Sequence, residues 1–516
     1  MEIKSNNSIK IIPKPIKVDV KQGNFTLINN TVILTDPDLK KQAEFLKSLI
    51  TPATGFELVI KDLSKKDGNN TIILNFNESQ EILNPEGYIL DASENKIEIL
   101  GQRPQGIFYG IQTLRQLLPV GIESSSKINR KWPIPCVRIE DFPQFSWRGF
   151  MLDESRHFFG KKTVKKMLDI MASLKFNIFH WHLTDDQGWR IEIKKYPRLL
   201  EIGSKRKGTM ITRKKIDKIP ISGSYTQDEI KEIIEYASNR FITIIPEIDV
   251  PGHVTAALAS YPELSCTGGP FEVSTHFGIH KEILCVGKEK VFEFVQDVLN
   301  EVMEVFPSKI IHTGGDEVPK RRWKKCSDCQ ARINKEGLRS EEELQVYFTN
   351  RIAKYLESKG RRLMGWNEIL NDKLAENAIC HYWNENFNEV LENARKGRNI
   401  VMSEMRAVYL NYPYSRTPLC NTYGYDPIPN ELEFNFHEKV LGLEACVWAE
   451  YVKNNKRLEF QAFPRLIAVA ETGWTLKENK DYHSFLARLN EFIQRLSFYD
   501  VNYAPKDIYL DDYVKS

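Results

Sequence analysis

The feature that most constrains the fold is a repeated pattern of apolar strand, loop and helix that begins at Ser146. Helical segments such as "KKTVKKMLDIMASLK", whose apolar residues recur every three or four positions, separate the strands. Eight strands over about 350 residues is the number expected for a (β/α)8 TIM barrel. An open doubly wound sheet is the alternative, but no glycine-rich phosphate loop follows the first strand, so we predict the barrel. The candidate strands are "RGFMLD", "FNIFHWHL", "FITIIPEID", "SKIIHTGG", "RRLMGW", "NAICHYW", "RNIVMS" and "VLGLEACVWAE".

The segment before the barrel has a different character. Short β-rich runs are separated there by Asn, Gly and Asp turns, and the helical run "PQGIFYGIQTLRQLL" follows them. The prolines of "KWPIPCVRIEDFPQF" then indicate a linker. We therefore predict an α/β protein in which a smaller α+β domain (residues 1–142) precedes the barrel with a C-terminal helical segment (residues 143–516).

The composition argues against some partners. With 72 basic and 69 acidic side chains the net charge is +3, which gives no reason to expect nucleic acid or an anionic membrane as a partner. The sequence has no apolar run near the ~18 residues of a membrane span and no signal-peptide core after Met1. The compartment stays open: the protein is secreted or periplasmic if a leader has been removed, and otherwise cytoplasmic. The oligomeric state stays open.

Two groups of residues have metal-like spacing, but we predict no metal site and no cofactor. Cys326 and Cys329 in "CSDC" are spaced like zinc ligands, yet the sequence has no second such pair. His180 and His182 in "HWH" would share one strand face. A metal there needs further ligands at later strand ends, but strand five ends in "MGW" without a histidine and His381 is the only candidate on strand six. We interpret the "HWH" histidines as hydrogen-bonding residues of the core.

Acids and tryptophans cluster where the predicted strands end. In a barrel of this type the carboxyl ends of all strands open onto one face, and active sites lie there. Packing alone would scatter charges over the helix faces, so convergence at the strand ends indicates a functional site. The strand-end residues are Asp153, Arg156, Asp185, Asp186, Glu247, Asp249, Asp316, Glu317, Trp366, Trp383, Trp448 and Glu450.

A bowl lined by carboxylates and indoles suits a neutral sugar. Indoles present flat apolar faces to the C–H groups of a pyranose ring, and carboxylates accept hydrogen bonds from its hydroxyls. The chemistry most often performed by acids in such a bowl is glycoside cleavage. One carboxylic acid protonates the leaving oxygen, and a second group stabilises the oxocarbenium-like centre.

The stretch "KIIHTGGDEVPK" places two acids side by side at the end of a strand. Neighbours on a regular strand point to opposite faces, so both acids can reach one ligand only if the strand bends at its end. Gly314 and Gly315 permit that bend. Because adjacent acids cannot flank a sugar from above and below, the pattern suggests a substrate that carries its own nucleophile.

The same stretch, "HTGGDEV", resembles the signature of glycoside hydrolase family 20, the β-N-acetylhexosaminidases. The resemblance covers the whole chain, including the domain before the barrel. It implies a retaining exo-enzyme that removes terminal β-linked GlcNAc or GalNAc from an oligosaccharide or glycoconjugate. The 2-acetamido carbonyl of the substrate would attack the anomeric carbon and give an oxazolinium ion. The other matching blocks, in order, are "MLDESRHF", "HWHLTDDQGWR", "PEIDVPGH", "MGWNEIL", "HYW" and "VWAE".

The resemblance also implies catalytic roles. Glu317 would be the general acid and later the general base, and Asp316 would orient the acetamido N–H and stabilise its developing charge. Tyr409 would donate a hydrogen bond to the acetamido carbonyl. Asp185 and His253 would form a supporting pair beside Glu317.

The implied substrate contacts come from other strand ends. Arg156 would hold the 3- and 4-hydroxyls, and Glu450 the 4- and 6-hydroxyls. Asn411 stands where many members have Asp, so its hydroxyl contact would be neutral. The walls of the acetamido pocket and the sugar face would be Trp366, Trp383 and Trp448.

Two further features depart from the family pattern or stay open. A tryptophan that many members carry between strands seven and eight is not evident, and Tyr423 or Tyr425 could replace it. Cys266 and Cys285 bracket the loop after strand three, where relatives often have a disulfide, but a pair of reduced thiols fits equally. The alternative functions are a family member specialised for a disaccharide or a sulfated aminosugar, and a glycan-binding protein that has lost catalysis.

Overall fold

The computed structural model describes residues 9–65, 68–77 and 84–510. Residues 1–8, 66–67 and 78–83 of the predicted first domain, and residues 511–516 of the second, lie outside that description. The expectation about a signal peptide therefore falls partly on residues that are not described. The N-terminal domain is a seven-stranded sheet with two helices, α1 (Lys40–Thr54) and α2 (Pro104–Leu117). Its strands are β1 (Lys17–Leu27), β2 (Val32–Thr35), β3 (Val59–Asp62), β4 (Thr71–Phe76), β5 (Tyr88–Ala92), β6 (Lys96–Gly101) and β7 (Trp132–Asp141).

The strand order in this sheet is β1-β7-β5-β6-β4-β2-β3, so the predicted linker is wrong. That segment forms β7, which pairs antiparallel with β1 on one side and β5 on the other. Pairing with β5 covers only the second half of β7, and Pro133 and Pro135 lie beyond it. A proline cannot donate to a sheet ladder, and these two cost the sheet no hydrogen bond on the β5 side.

Two ion pairs, one fully buried and one partly buried, fasten this domain to the amino-terminal end of the barrel. Lys175 Nζ lies 2.9 Å from Asp141 Oδ2, with both side chains fully buried. Arg148 Nη2 lies 2.9 Å from Glu86 Oε1. Arg148 is near the start of the first barrel strand and Lys175 lies just before the second. The domain therefore covers the closed end and leaves the carboxyl ends of the strands open.

All eight predicted barrel strands form, and they close into a parallel barrel. The first strand pairs with the second and the last, which completes the ring. The prediction of a (β/α)8 barrel behind a smaller domain is thereby confirmed. The strands are β8 (Trp147–Asp153), β9 (Ile178–His182), β10 (Thr243–Glu247), β11 (Ile310–His312), β12 (Arg362–Trp366), β13 (Ile379–Tyr382), β14 (Ile400–Met402) and β15 (Val440–Val447).

Helices surround the barrel and pack their apolar faces on it. Among the described residues, no helix has both the length and the apolar composition needed to cross a lipid bilayer. The longer helices are α3 (Lys161–Ser173), α4 (Gln227–Ser238), α5 (Glu289–Val305), α6 (Ser327–Glu336), α7 (Glu341–Ser358), α8 (Phe387–Arg395), α9 (Asn455–Ala462), α10 (Arg465–Trp474) and α11 (Tyr482–Phe498). Short helices lie at Arg198–Glu201, Thr255–Ser260, Met405–Val408, Leu419–Gly424 and Lys506–Tyr509. Short strands lie at Thr184–Asp185, Gly188–Trp189, Lys205–Arg206, Met210–Thr212, Lys215–Ile216 and Ile221–Ser222.

Three layers of side chains fill the barrel. The layer at its closed end is apolar, and the layer at its mouth contains Met151, Trp366, Tyr409 and Cys446. Between them lies a fully buried polar layer built on the carboxylates of Glu247 and Glu444. The apolar layer consists of Trp147, Ile178, Ile245, Met364, Ile379 and Val401. The polar layer also contains His180, His312 and His381.

The buried histidines bond to these carboxylates, as expected for core residues. Glu247 Oε2 lies 2.5 Å from His182 Nδ1 and 3.1 Å from His180 Nε2. His180 Nδ1 in turn lies 2.7 Å from Glu444 Oε1. The polar layer supports the mouth of the barrel directly, because the indole N–H of Trp366 donates to Glu247 Oε1 at 2.9 Å.

Candidate active site

A cavity of about 610 Å³ opens at the carboxyl ends of the barrel strands. That volume lies within the range of small-molecule sites. Every residue with a predicted catalytic or substrate-binding role except Asp185 lines the cavity, and Asp185 lies directly behind Arg156 and His253. The other predicted strand-end acids are buried and do not line it: Asp153, Asp186, Glu247 and Asp249. The lining residues are Arg156, His253, Asp316, Glu317, Trp366, Trp383, Tyr409, Asn411, Tyr412, Pro413, Arg416, Trp448, Glu450, Tyr451 and Arg457.

The two adjacent acids reach the cavity because the chain turns sharply after β11. Gly314 and Gly315 have φ of 62° and 94°, and Glu317 has φ of 49°. These left-handed conformations break the alternation of a strand, so both acids line the same cavity. The Gly315 N–H donates to Asp249 Oδ1 at 3.2 Å, which fixes the turn against the end of β10.

His253 connects the acid pair to Asp185. Its Nδ1 lies 3.2 Å from Asp185 Oδ1, and its Nε2 lies 3.5 Å from Glu317 Oε2 and 3.7 Å from Asp316 Oδ2. Burial disfavours the charged imidazole, but the charge of Asp185 and bonds to the surrounding carboxylates raise the pKa of His253 well above its ordinary value. A cationic imidazole therefore lies between Asp185 and the two acids.

Asp316 is the more buried member of the acid pair. Its side chain is 13% exposed, against 32% for Glu317. Burial raises the pKa of Asp316 to about 6, with His253 opposing that shift and the charges of Glu247 and Glu317 adding to it. Among the described residues no group hydrogen-bonds to the buried Asp316 Oδ1. An unpaired buried acceptor is costly, which is consistent with an oxygen that bonds a ligand.

Arg156 is held rigidly at one side of the cavity. Its guanidinium lies 2.7 Å from Asp185 Oδ2 and 3.0 Å from Asp153 Oδ2, and it lies over the Trp448 ring at 5.1 Å. Burial raises the pKa of the nearby Glu450 carboxyl, while Arg156 opposes that shift. A fixed guanidinium and a carboxyl at one edge suit a pair of sugar hydroxyls.

The aromatic walls are fixed by hydrogen bonds and stacking. Trp366 stacks on His381 with ring centroids 4.2 Å apart. Trp383 lies parallel to Tyr409, with centroids 6.1 Å apart and 10° between the planes. The Trp383 indole N–H donates to Glu368 at 3.0 Å, and burial, with the charge of Asp316, raises the pKa of Glu368 to about 8. The indoles therefore form a preformed apolar enclosure beside the acids.

Some residues of the site carry no clear signal in the sequence. Tyr412, Arg416 and Tyr451 line the cavity from loops after β14 and β15, and Arg457 lines it from the first turn of α9, where neither periodicity nor strand ends could locate them. Position alone offers a hint for two of them, since Tyr412 follows Asn411 and Tyr451 follows Glu450.

Tyr423 and Tyr425 do not line this cavity. Tyr423 is buried; its hydroxyl donates to Glu471 at 3.1 Å and its ring lies 4.7 Å from that of Phe485. The aromatic groups that the loops contribute here are Tyr412 and Tyr451 instead.

Comparison with known proteins identifies the family of the chain. The model of the glycosyl hydrolase family 20 catalytic domain matches residues 145–477, and that of domain 2 of the same family matches residues 8–142. A curated beta-hexosaminidase from Porphyromonas gingivalis (strain ATCC BAA-308 / W83) is 40% identical over 511 residues. Those residues are 96% of this chain, but the match spans only 64% of the relative, slightly less than two thirds of its length.

Solved structures of the family have the same fold. The GH20 beta-N-acetylhexosaminidase of Streptomyces coelicolor A3(2) has a TM-score of 0.84 and 31% identity, over 96% of this chain and 98% of that one. The GH20 exo beta-N-acetylglucosaminidase of Vibrio harveyi, solved with N-acetylglucosamine, has a TM-score of 0.85 and 31% identity, over 96% and 78%. The barrel mouth combines acids with indoles, a lining that suits a neutral sugar. The chain belongs to glycosyl hydrolase family 20.

The tight turn at Gly314 leaves no room for a larger residue, which predicts a loss of stability on substitution. A Cβ at Gly314 would overlap the Asp249 carboxylate, whereas one at Gly337, which has a similar φ of 65°, would meet open space. We expect Gly314→Ala to lower the free energy of unfolding by about 1–3 kcal/mol more than Gly337→Ala. Both variants place alanine at a similar positive φ, but only the Cβ at position 314 also overlaps a neighbouring side chain. Denaturant titration of the two variants measures the difference, and equal losses would contradict the steric role of Gly314.

Proposed function

We propose that this protein is a retaining exo-β-N-acetylhexosaminidase that releases terminal β-linked GlcNAc or GalNAc by substrate-assisted catalysis. The observation that carries the proposal is the pair Asp316 and Glu317. The two acids line one face of the cavity, and the inner acid has a buried oxygen without a partner among the described residues. Membership of family 20, and the N-acetylglucosamine bound by the Vibrio harveyi relative, support the same substrate class.

In the proposed first step, the oxygen of the 2-acetamido carbonyl attacks the anomeric carbon. Glu317 donates its proton to the leaving glycosidic oxygen. Asp316 accepts the acetamido N–H and stabilises the positive charge that develops on that group, and the Tyr409 hydroxyl donates to the attacking carbonyl oxygen. The product is an oxazolinium ion and a free aglycone. Preorganised groups of this kind stabilise charge where it develops in the transition state.

In the second step, Glu317 acts as general base. It takes a proton from water as the water attacks the anomeric carbon and reopens the ring, so the product retains the β configuration. The cationic His253, backed by Asp185, lies within 3.5 Å of Glu317 and keeps the carboxylate oriented through both steps. No enzyme carboxylate forms a covalent bond to the sugar.

The remaining residues would bind the sugar ring. Arg156 and Glu450 would hold the 3-, 4- and 6-hydroxyls, and Asn411 would offer a neutral contact through its Oδ1. That oxygen is buried and has no hydrogen-bond partner among the described residues. Trp366, Trp383 and Trp448 would enclose the acetamido methyl group and the apolar face of the ring. Side chains that fill the barrel close the inner end of the cavity. A sugar would therefore enter from the open side only, which fits removal of single residues from the ends of glycan chains.

The primary test is hydrolysis of p-nitrophenyl glycosides. We expect release of p-nitrophenol from the β-N-acetylglucosaminide, and also from the β-N-acetylgalactosaminide, with Glu317→Gln as the inactive control. Because the acetamido group is the nucleophile, the β-glucoside should not turn over and a thiazoline mimic of the cyclised intermediate should inhibit competitively. Efficient cleavage of the glucoside would show that an enzyme carboxylate is the nucleophile instead.

The raised pKa of Asp316 predicts how activity depends on pH. Asp316 must be ionised to accept the acetamido N–H, so kcat/KM should fall as the pH drops through about 6, the pKa to which burial raises this group. Asp316→Asn should lower kcat by about 10²–10³ and remove that acid limb, because the amide does not titrate. A pH–rate profile of both proteins decides the matter, and an unaltered limb in the variant would assign it to another group.

A second candidate substrate is a sulfated aminosugar. The observation that favours it is that two cations, Arg416 and Arg457, line the cavity together with the neutral Asn411. If they bind a 6-sulfate, the enzyme should hydrolyse the 6-sulfated β-N-acetylglucosaminide, and Arg416→Gln should raise KM for that substrate but not for the neutral one. Equal changes for both substrates would reject sulfate recognition by Arg416.

A further inference from the structure

Four cysteines from two different loops meet outside the cavity. Cys266 and Cys285 lie in the loop after β10, and Cys326 and Cys329 lie at the start of α6, after the loop that follows β11. Their four sulfur atoms all lie within 4.8 Å of one another. The sequence shows only the "CSDC" pair, because its partners are 41 to 63 residues away.

The sulfur spacings do not fit disulfides. Cys285 Sγ lies 3.5 Å from Cys326 Sγ and 3.6 Å from Cys329 Sγ, and Cys266 Sγ lies 3.9 Å from Cys329 Sγ. A disulfide has sulfurs about 2.05 Å apart. In a tetrahedron with metal–sulfur bonds of about 2.3 Å, neighbouring sulfurs are about 3.8 Å apart. All eight cysteines of the chain lie among the described residues, and all are free thiols, including Cys266 and Cys285.

We propose that Cys266, Cys285, Cys326 and Cys329 bind one Zn²⁺ ion as thiolates in a closed tetrahedral site. Four thiolates around one ion are the ligand set of structural zinc sites, and the separation of Cys326 from Cys329 is typical of one half of such a site. The other half comes from the neighbouring loop. This proposal replaces the expectation of no metal, which depended on the absence of a second pair in the sequence.

The backbone around the cluster is built for close approach. A Cβ at Gly287 would overlap the backbone of Asp328 and Cys329, so only glycine lets the two loops come this near. The Cys285 N–H donates to Leu264 O at 2.8 Å, which ties the backbone at Cys285 to the segment just before Cys266.

Charge and burial also fit a tetrathiolate site. Zn²⁺ with four thiolates carries two net negative charges. Lys288, on the same turn as Cys285, brings an ammonium group that donates to Ser265 O at 2.7 Å and Glu263 O at 2.9 Å. Cys285, Cys326 and Cys329 are buried, whereas Cys266 is partly exposed and gives the ion a path of entry.

The site would fasten the two loops that carry the acids and their supporting histidine. His253 lies on the loop after β10, and Asp316 and Glu317 lie on the loop after β11. The loops touch beside the cavity, where a Cβ at Gly252 would lie 3.3 Å from Asp316 O. The ion contacts no substrate group in this arrangement, so its role is structural: it limits the movement of one loop against the other.

Metal analysis of the intact protein is the first test. Protein purified without chelators should contain one zinc per chain by elemental mass spectrometry, and a mercurial that titrates thiols should release it. Growth with cobalt should give the intense visible absorption of tetrahedral Co²⁺–thiolate coordination. Protein without stoichiometric metal, or with these cysteines protected from alkylation until a reductant is added, would overturn the proposal; stoichiometric iron would overturn the choice of zinc.

Variants separate the site from a general effect of cysteine loss. Cys326→Ser/Cys329→Ser should abolish zinc binding and lower Tm, whereas Cys420→Ser, a partly exposed cysteine outside the cluster, should retain one zinc per chain and the parent Tm. Cys266→Ser, at the exposed corner, should weaken retention of zinc during dialysis against a chelator while the chain stays folded. Equal zinc content in all of these proteins would contradict the assignment.

Discussion

The carboxylate of Glu247, fully buried in the centre of the barrel, is the group on which the site depends. It meets His180 and His182 on β9, His312 on β11 and the indole of Trp366 on β12 at 2.5–3.1 Å. From His182 the bonds continue outwards. His182 Nε2 lies 3.0 Å from Asp185 Oδ2, and Asp185 contacts both Arg156 and His253. One continuous network therefore runs from the barrel core to the groups beside Glu317.

Burying a layer of charged groups costs desolvation free energy, and ion pairing within the layer offsets that cost. Burial opposes ionisation of Glu247, but the charges of His182, His312 and His180 lower its pKa well below the ordinary value. Burial likewise opposes the charged form of His180, while Glu444 and Glu247 raise its pKa to about 9. The contribution of Glu247 is complete above the ordinary carboxyl pKa and is lost as the pH falls from there through the depressed pKa. The contribution of His180 is complete below the ordinary histidine pKa and is lost as the pH rises through about 9.

The sequence predicted the barrel well because each strand is a short apolar run with a polar or aromatic end. The same rule places the acids and indoles together at one mouth, since the carboxyl ends of all the strands meet there. The sequence-based prediction failed at β7, where the local effect of proline disagrees with the pairing of the strand in the sheet. The prolines of β7 indicate a linker, yet Pro133 and Pro135 fall at the part of the strand that lacks β5 as a neighbour. The roles assigned to site residues came from the family resemblance, since strand ends alone do not distinguish an acid that donates a proton from one that steadies an amide.

Loop residues were beyond reach for a different physical reason. The positions of Tyr412, Arg416 and the cysteine cluster depend on where long loops fold back, and contacts between segments distant in sequence decide this.

The backbone at the site is strained: His253 and Glu317 have positive φ of 50° and 49°, conformations that cost about 1–3 kcal/mol each outside glycine. Such strain persists only if the surroundings over-determine it. The bond from Gly315 to Asp249, and the close approach of the loops at Gly252, where an added Cβ would lie 3.3 Å from Asp316 O, constrain both loops near the acids. A second attachment at the four cysteines, farther along the same two loops, would prevent either loop from relaxing that strain by moving as a whole.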